Sequence, residues 1–315
     1  MSIAVPAPTR LGAFARLAKL DVWDYYLAVP LAWALCGPPA WGSTDVLVTL
    51  GLFLLGTVGV VAGAVAFDDV TGFRDGSDAA NYGPDAPARR LARKPLLTGE
   101  LTEREAIVFG WCATLFGTLV WTWTAAFAPF RPLWVLLLLA ACLISAVQYS
   151  WGLKISYRGW QEVFLAGFGI GLVLAAVGLC TGEMSAFTLV QAILFGLGPL
   201  LFGVYSNTRD AVGDARVGRP TVAVLLSTRG NIAFIAALSV GEIALIVLSS
   251  GLGAAPWWFA PAMLPAMGLR VAQLHRGLGL GDVLGARLIG LHAHRTTVAL
   301  LIVVNLFTPA LGGWS

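Results

Sequence analysis

The chain has 315 residues, of which 58% are hydrophobic and only 12% charged, about half the charged share of an ordinary soluble domain. A soluble protein of this length has no core large enough to hide so much apolar surface, so that class is excluded. The formal net charge of +3 gives no reason to propose a nucleic-acid partner.

The hydrophobic residues gather in runs long enough to cross a bilayer, which takes about 20 residues each. Nine spans are expected, over 22–42, 44–67, 104–126, 131–150, 160–180, 185–206, 231–251, 255–275 and 293–312. Pro and Gly interrupt the first and the eighth. The segment before the first, MSIAVPAPTRLGAFARLAKLD, carries its charges late and runs into an apolar stretch long enough to span, so it is not read as a cleavable signal. With no linker or low-complexity tract, the expectation is an all-α polytopic membrane protein forming one intramembrane domain over residues 1–315. Cys36, Cys112, Cys142 and Cys180 lie scattered inside spans and read as small apolar residues.

Lys and Arg placement sets the orientation. Arg10, Arg16 and Lys19 precede the first span; Arg74, Arg89, Arg90, Arg93, Lys94 and Arg104 lie between the second and third. Further basic clusters follow spans four and six and surround the last connection, and of the 20 basic residues only Arg131 falls on the other side. The N-terminus is therefore expected in the cytoplasm and the C-terminus outside.

Two of the cytoplasmic loops concentrate carboxylates. After span two comes AFDDVTGFRDGSDAANYG, with Asp68, Asp69, Asp75 and Asp78 close together. After span six comes YSNTRDAVGDARVGRPTVAV. There Asn207, Asp210 and Asp214 fall at i, i+3 and i+7, one face of a continued helix. Asp210 and Asp214 are one turn apart, roughly 6 Å along the axis, and repel each other unless a cation bridges them. Oxygen-only ligands suit Mg²⁺, which keeps several waters and completes its shell with substrate phosphates, while nearby Arg and Lys take the remaining phosphate charge. The bland alternative is Asp and Arg pairing across exposed loops; two matched loops flanking one bundle count against it. A transporter would set its ionisable residues near the membrane midplane, whereas these sit at one face.

With these motifs the chain resembles the UbiA superfamily of intramembrane prenyltransferases over nearly its whole length, and within it most of all the 1,4-dihydroxy-2-naphthoate polyprenyltransferases. The family's first motif, N-D-x-x-D-x-x-x-G-x-D, aligns with Asp68, Asp69, Gly72, Gly76 and Asp78. Its second aligns with Asn207, Arg209, Asp210, Asp214, Gly218, Arg219 and Thr221. The segment R-P-L-x-x-G appears as Lys94 to Gly99, and YSWGLKISYRGWQE meets a further motif in full through Tyr149, Lys154, Tyr157, Arg158, Gly159 and Glu162. The resemblance implies a bundle of nine helices with a cytoplasm-facing cavity, in which Asp68, Asp69, Asp78, Asp210 and Asp214 hold Mg²⁺ against the diphosphate of an allylic prenyl diphosphate. Lys94, Lys154, Arg158 and Tyr149 would serve the ionisation; Asn207, Arg209, Trp151 and Tyr205 would bind substrate. Where the family has an Asp, this chain has Gly72, and Asp75 is the expected replacement if the helix breaks at Gly72 or Gly76.

The activity implied is transfer of an isoprenyl group to an aromatic or other lipophilic acceptor from the membrane. The alternative on the same scaffold is a terpene cyclase, in which a double bond of the substrate captures the cation. Acceptor, chain length and oligomeric state are not encoded in any of these motifs. Glu242, alone in span seven, reads as a neutral helix-packing residue.

Overall fold

The computed structural model describes residues 9–21, 23–82 and 91–308. Arg89 and Arg90, Val22 at the start of the first expected span, and the end of the ninth lie outside them. Among the described residues every regular element is a helix. We label the longer ones α1 (Arg10–Leu17), α2 (Ala28–Leu35), α3 (Thr44–Arg74), α4 (Glu103–Phe127), α5 (Leu133–Gln148), α6 (Gln161–Thr181), α7 (Ala186–Arg216), α8 (Thr228–Gly251), α9 (Leu264–Leu274) and α10 (Val283–Phe307).

Six of these, α3, α4, α6, α7, α8 and α10, are long and apolar enough to cross a membrane. The other three expected spans are shorter or broken. α5 has only 16 residues, starting after Pro132. The first segment is cut into a 3₁₀ turn at Asp24–Leu27, α2, and a short turn Pro38–Trp41 set off by Gly37 at φ 78°. The eighth is cut at Met263, where Phe259–Ala262 ends before Pro265 permits a new start, and α9 runs into a π-helical turn at His275–Gly279. Proline cannot donate its backbone hydrogen bond, so a span carrying Pro261 and Pro265 does not form one helix.

Small residues let the long helices touch. α3 and α4 cross at Gly59 and Gly117, where a Cβ on Gly59 would stand 2.8 Å from the Gly117 backbone. α6 and α7 cross at Gly169 and Gly196 in the same way, 2.9 Å apart by that measure. Between apolar helices in lipid, such close backbone approach replaces the hydrophobic driving force available in water. α3 and α7 are each 31 residues long, roughly 46 Å, against a hydrocarbon thickness of about 30 Å. Each is longer than that layer is thick, and both carry the Asp motifs on their C-terminal turns.

Candidate active site

At the end of α3, Asp68 and Asp69 are followed by Gly72 and Arg74; Asp75 caps the helix and Gly76, at φ 79°, turns the chain in the left-handed region that glycine tolerates. The short helix Ser77–Asn81 then folds back, and Asp78 lies against Gly72: a Cβ on residue 72 would be 2.8 Å from the Asp78 Cγ. Gly72 thus leaves open the space that the Asp78 carboxylate fills. Lys94 Nζ donates to Asp69 Oδ1 at 2.7 Å and to Asp78 at 2.8 Å, and Lys19 Nζ lies 3.0 Å from the same Asp69 oxygen. Burial works against the Lys94 ammonium, yet Asp69, Asp78 and Asp68 outweigh it and hold its pKa above the ordinary lysine value. Burial and the charge of Asp69 push the Asp78 carboxyl up to about 6 in spite of Lys94.

Asp75 is not drawn into this cluster. Its Oδ1 accepts from the Ser77 backbone N–H at 2.9 Å and its Oδ2 from the Tyr157 hydroxyl. It ties the turn after α3 to the 3₁₀ helix Ile155–Arg158, and the carboxylate beside Gly72 belongs to Asp78. Of the two glycines at which a break is expected, α3 runs through Gly72 and the chain turns only at Gly76, after Asp75.

The second motif lies on the final turns of α7, with Asp214 buried and the Asn81 side chain beside it. Asn81 reaches it because Gly213 has no side chain; a Cβ there would collide with the Asn81 carboxamide. The two motifs therefore meet at one end of the bundle. Arg219, just beyond α7, completes the junction: one guanidinium nitrogen is 3.4 Å from Asp68 Oδ1 and 3.3 Å from the Tyr149 hydroxyl, and the group lies over the Tyr157 ring at 5.2 Å. Ser150 Oγ donates to Asp68 Oδ1 at 2.7 Å. Asp210 and Arg209 line a polar pocket with Tyr82, Arg93, Ser206 and Arg287.

Other expected site residues stand elsewhere. Asn207 is buried, accepting from Gln161 and donating to Glu162, both at 2.9 Å, so it fastens α7 to the start of α6. Lys154 and Arg158 are exposed; the Lys154 ammonium lies over Tyr157 at 5.6 Å. Trp151 packs on Phe67 at 4.9 Å, and Tyr205 is buried in a separate cluster with Leu200, Val204, Ile235 and Ala286. Lys19, Ser150, Tyr157 and Arg219 are the cluster members to which the sequence reading gave no role, although Tyr157 and Arg219 stand inside its motifs.

Beneath the carboxylates an apolar cavity runs into the bundle, lined by Tyr25, Val61, Val65, Tyr149, Phe164 and Phe168, with Asp68 at its polar end. The Tyr25 hydroxyl donates to the Leu165 carbonyl at 3.0 Å, which holds the side chain in the cavity wall. Among the described residues no three His, Cys, Asp or Glu side chains converge into a preassembled metal set, because Lys94 and Lys19 stand between the carboxylates. Asp69 Oδ2 is nonetheless buried with no hydrogen-bond partner among the described residues, an acceptor left open in an all-oxygen donor set.

Residues 25–278 match the UbiA prenyltransferase family. The chain is 26% identical over 260 residues to the 4-hydroxybenzoate octaprenyltransferase of Pseudomonas fluorescens (strain Pf0-1), covering 81% of this chain and 80% of that one. It is 27% identical to the enzyme of that name from Aromatoleum aromaticum, covering 82% of each. These relatives lend no support to the narrower naphthoate likeness. Among solved structures, an apo UbiA homologue from Aeropyrum pernix K1 superposes with a TM-score of 0.66 at 17% identity, over 91% of this chain and 99% of that one. A UbiA homologue from Archaeoglobus fulgidus, bound to DMAPP and Mg²⁺, does so with a TM-score of 0.64 at 14% identity, over 91% and 98%. The apolar spans and the matched family together make this an integral, multi-pass membrane protein, and the chain belongs to the UbiA prenyltransferase family, as a prenyltransferase.

Proposed function

We propose that the chain transfers an isoprenyl group from an allylic prenyl diphosphate to an aromatic acceptor at the junction of its two Asp motifs, on the cytoplasmic side. The observation that carries this is the coincidence at Asp68. One carboxylate closes an aromatic-lined apolar cavity and, through Arg219, joins the second motif to the first. An isoprenyl chain has the chemistry of the cavity, and a diphosphate has the charge that suits Lys94, Lys19 and Arg219. The P. fluorescens and Archaeoglobus relatives, by their names, act on 4-hydroxybenzoate and bind DMAPP with Mg²⁺, which supports both substrates.

Asp68, Asp69, Asp78, Asp210 and Asp214 would hold Mg²⁺, and the open, buried Asp69 Oδ2 fits that role. Bound there, Mg²⁺ supplies neutralisation of the charge on the departing diphosphate. In the reaction the allylic C–O bond breaks and its electron pair leaves with the diphosphate. Lys94 and Arg219 stabilise that anion as preorganised charge. The Tyr25, Tyr149, Phe164 and Phe168 rings face the carbocation, each worth about 2 kcal/mol where desolvated. A ring carbon of the acceptor closes on the cation and loses its proton to water.

The test is diphosphate release from an allylic prenyl diphosphate in detergent, with Mg²⁺, by wild type, Asp210→Asn and Asp214→Asn. Each replacement removes a charged ligand at nearly constant shape and is expected to cost at least about 10²-fold in rate, as losing one preorganised donor does. Wild-type rates in both variants overturn the proposal. Release that proceeds equally without any aromatic acceptor, with a cyclised hydrocarbon product, identifies the cyclase instead.

A further inference from the structure

We propose that the stacked pair Phe164 and Phe168 is the partition that sets how long a prenyl chain this protein accepts, an inference that rests on the prenyl diphosphate reading above. The two rings lie one turn apart on α6, with centroids 5.3 Å apart and planes 22° from parallel. Each is braced from the cavity side: Phe164 against Tyr149 at 4.5 Å, and Phe168 edge-on to Tyr25 at 5.3 Å. Both residues also line a second space on the opposite side, a groove between α5 and α6 bounded by Leu138, Ala141, Cys142 and Gly167.

The two spaces share those rings and no other lining residue. The inner one begins at Asp68 and holds about 160 Å³, while the groove holds about 480 Å³. The inner space alone is below the roughly 300 Å³ at which ligand pockets usually begin. The groove contains no charged side chain among its lining residues, and its rim residues Trp160 and Val163 are 59% and 60% exposed. In a membrane protein such an exposed apolar rim suits contact with lipid at the edge of the bilayer. A prenyl chain whose diphosphate sits at Asp68 therefore runs inward until it meets Phe164 and Phe168. Past them lies apolar space that opens to the bilayer and sets no length limit. The occupant of the groove, once the partition is opened, is the distal end of the prenyl chain.

Truncating Phe168 leaves a cavity, because packed surroundings relax only partly, and this joins the two spaces. Gly167 offers the control. It faces the groove, and a Cβ built there meets nothing within 4 Å, so Gly167→Leu adds bulk to the groove without touching the inner cavity.

The experiment compares kcat/KM for geranyl, farnesyl and geranylgeranyl diphosphates in wild type, Phe168→Ala, Gly167→Leu and the double variant. Phe168→Ala is expected to raise the geranylgeranyl-to-geranyl ratio by about tenfold or more, a difference of one decade in transition-state binding. Gly167→Leu alone leaves the ratio unchanged, because the groove is closed off in the wild type. The double variant returns the ratio towards the wild-type value, which a merely structural Phe168 would not produce. An unchanged ratio in a Phe168→Ala enzyme that still turns over geranyl diphosphate overturns the inference. So does a drop in long-chain use with Gly167→Leu alone, which shows that tails already cross into the groove; that arm decides the matter even if Phe168→Ala fails to fold. If wild type releases no diphosphate from any of the three, the prenyl diphosphate reading itself falls and the inference with it.

Discussion

Gly72 stands where the resembling family carries a carboxylate, and its missing side chain is what admits Asp78 to the Lys94 cluster. Restoring an Asp at 72 would drive its Cβ into the Asp78 carboxylate and add an anion beside Asp69. Gly72→Asp is therefore expected to lower diphosphate release by at least about tenfold, and pairing it with Asp78→Gly to recover most of the loss. Equal or faster release by Gly72→Asp alone would mean that Asp78 does not need that space. The cluster shows what a linear pattern can and cannot reveal. Lys94 is legible through its Pro-Leu segment, and it does join Asp69 to Asp78. Arg219 matched a motif letter, but its reach to Asp68 spans 151 positions, and no spacing rule encodes a contact made by two helix ends that meet in space. Lys19 counted only towards orientation; a left-handed backbone at φ 48° aims it at Asp69 instead. Lys154 and Arg158 had the right motif and are exposed, because the Ile155–Arg158 turn presents Tyr157 inward.

The helices were readable where hydropathy alone decides them. Six full spans follow from uninterrupted apolar runs, and the continued helix through Asn207, Asp210 and Asp214 follows from their spacing. Breaks at Gly37 and Met263 were signalled by neighbouring prolines, but hydropathy cannot tell a broken span from a whole one. Partners inside the bundle were not readable at all. Glu242 of α8, expected to be a neutral packing residue, faces the fully buried Arg270 of α9, whose Nη2 donates to Glu242 Oε1 at 2.9 Å while its Nε contacts the other oxygen. Arg270 also donates to Gln273, which in turn donates to the Leu201 carbonyl of α7 at 3.0 Å. This charged link fastens the short α9 to two longer helices. Removing one partner leaves the other charge buried, so Glu242→Gln is expected to destabilise the protein by about 3–5 kcal/mol, whereas replacing both Glu242 and Arg270 by Met is expected to cost far less. Unfolding in mixed micelles with increasing dodecyl sulfate measures both; equal losses in the single and double variants would show that the pair's charge is not what matters.

Two halves of the chain, each ending a 31-residue helix in carboxylates, converge on one junction where Asp68 meets Arg219 and Asn81 lies beside Asp214. Asp68, Asp69 and Asp78 share Lys94, Lys19 and Arg219 there as counter-charges, with Asp214 on the facing helix, and on the proposed reading this charge receives a ligand carrying both metal and phosphate. A ligand that binds only the folded form raises stability by an amount set by its concentration over Kd, about 2.7 kcal/mol at a hundredfold excess. Mg²⁺ together with inorganic diphosphate is therefore expected to raise the melting temperature of the detergent-solubilised protein, and neither alone to do so as strongly. The decisive comparison is between Asp68→Asn in the first half and Asp210→Asn in the second. If one diphosphate is gripped by both halves, each variant loses most of the shift, although the two residues lie on different helices. A shift that survives Asp210→Asn but vanishes with Asp68→Asn would place the ligand on the first half alone, and the role of α7 would shrink to supporting Arg219. The reading is independent of turnover, so it separates a failure to bind from a failure to ionise.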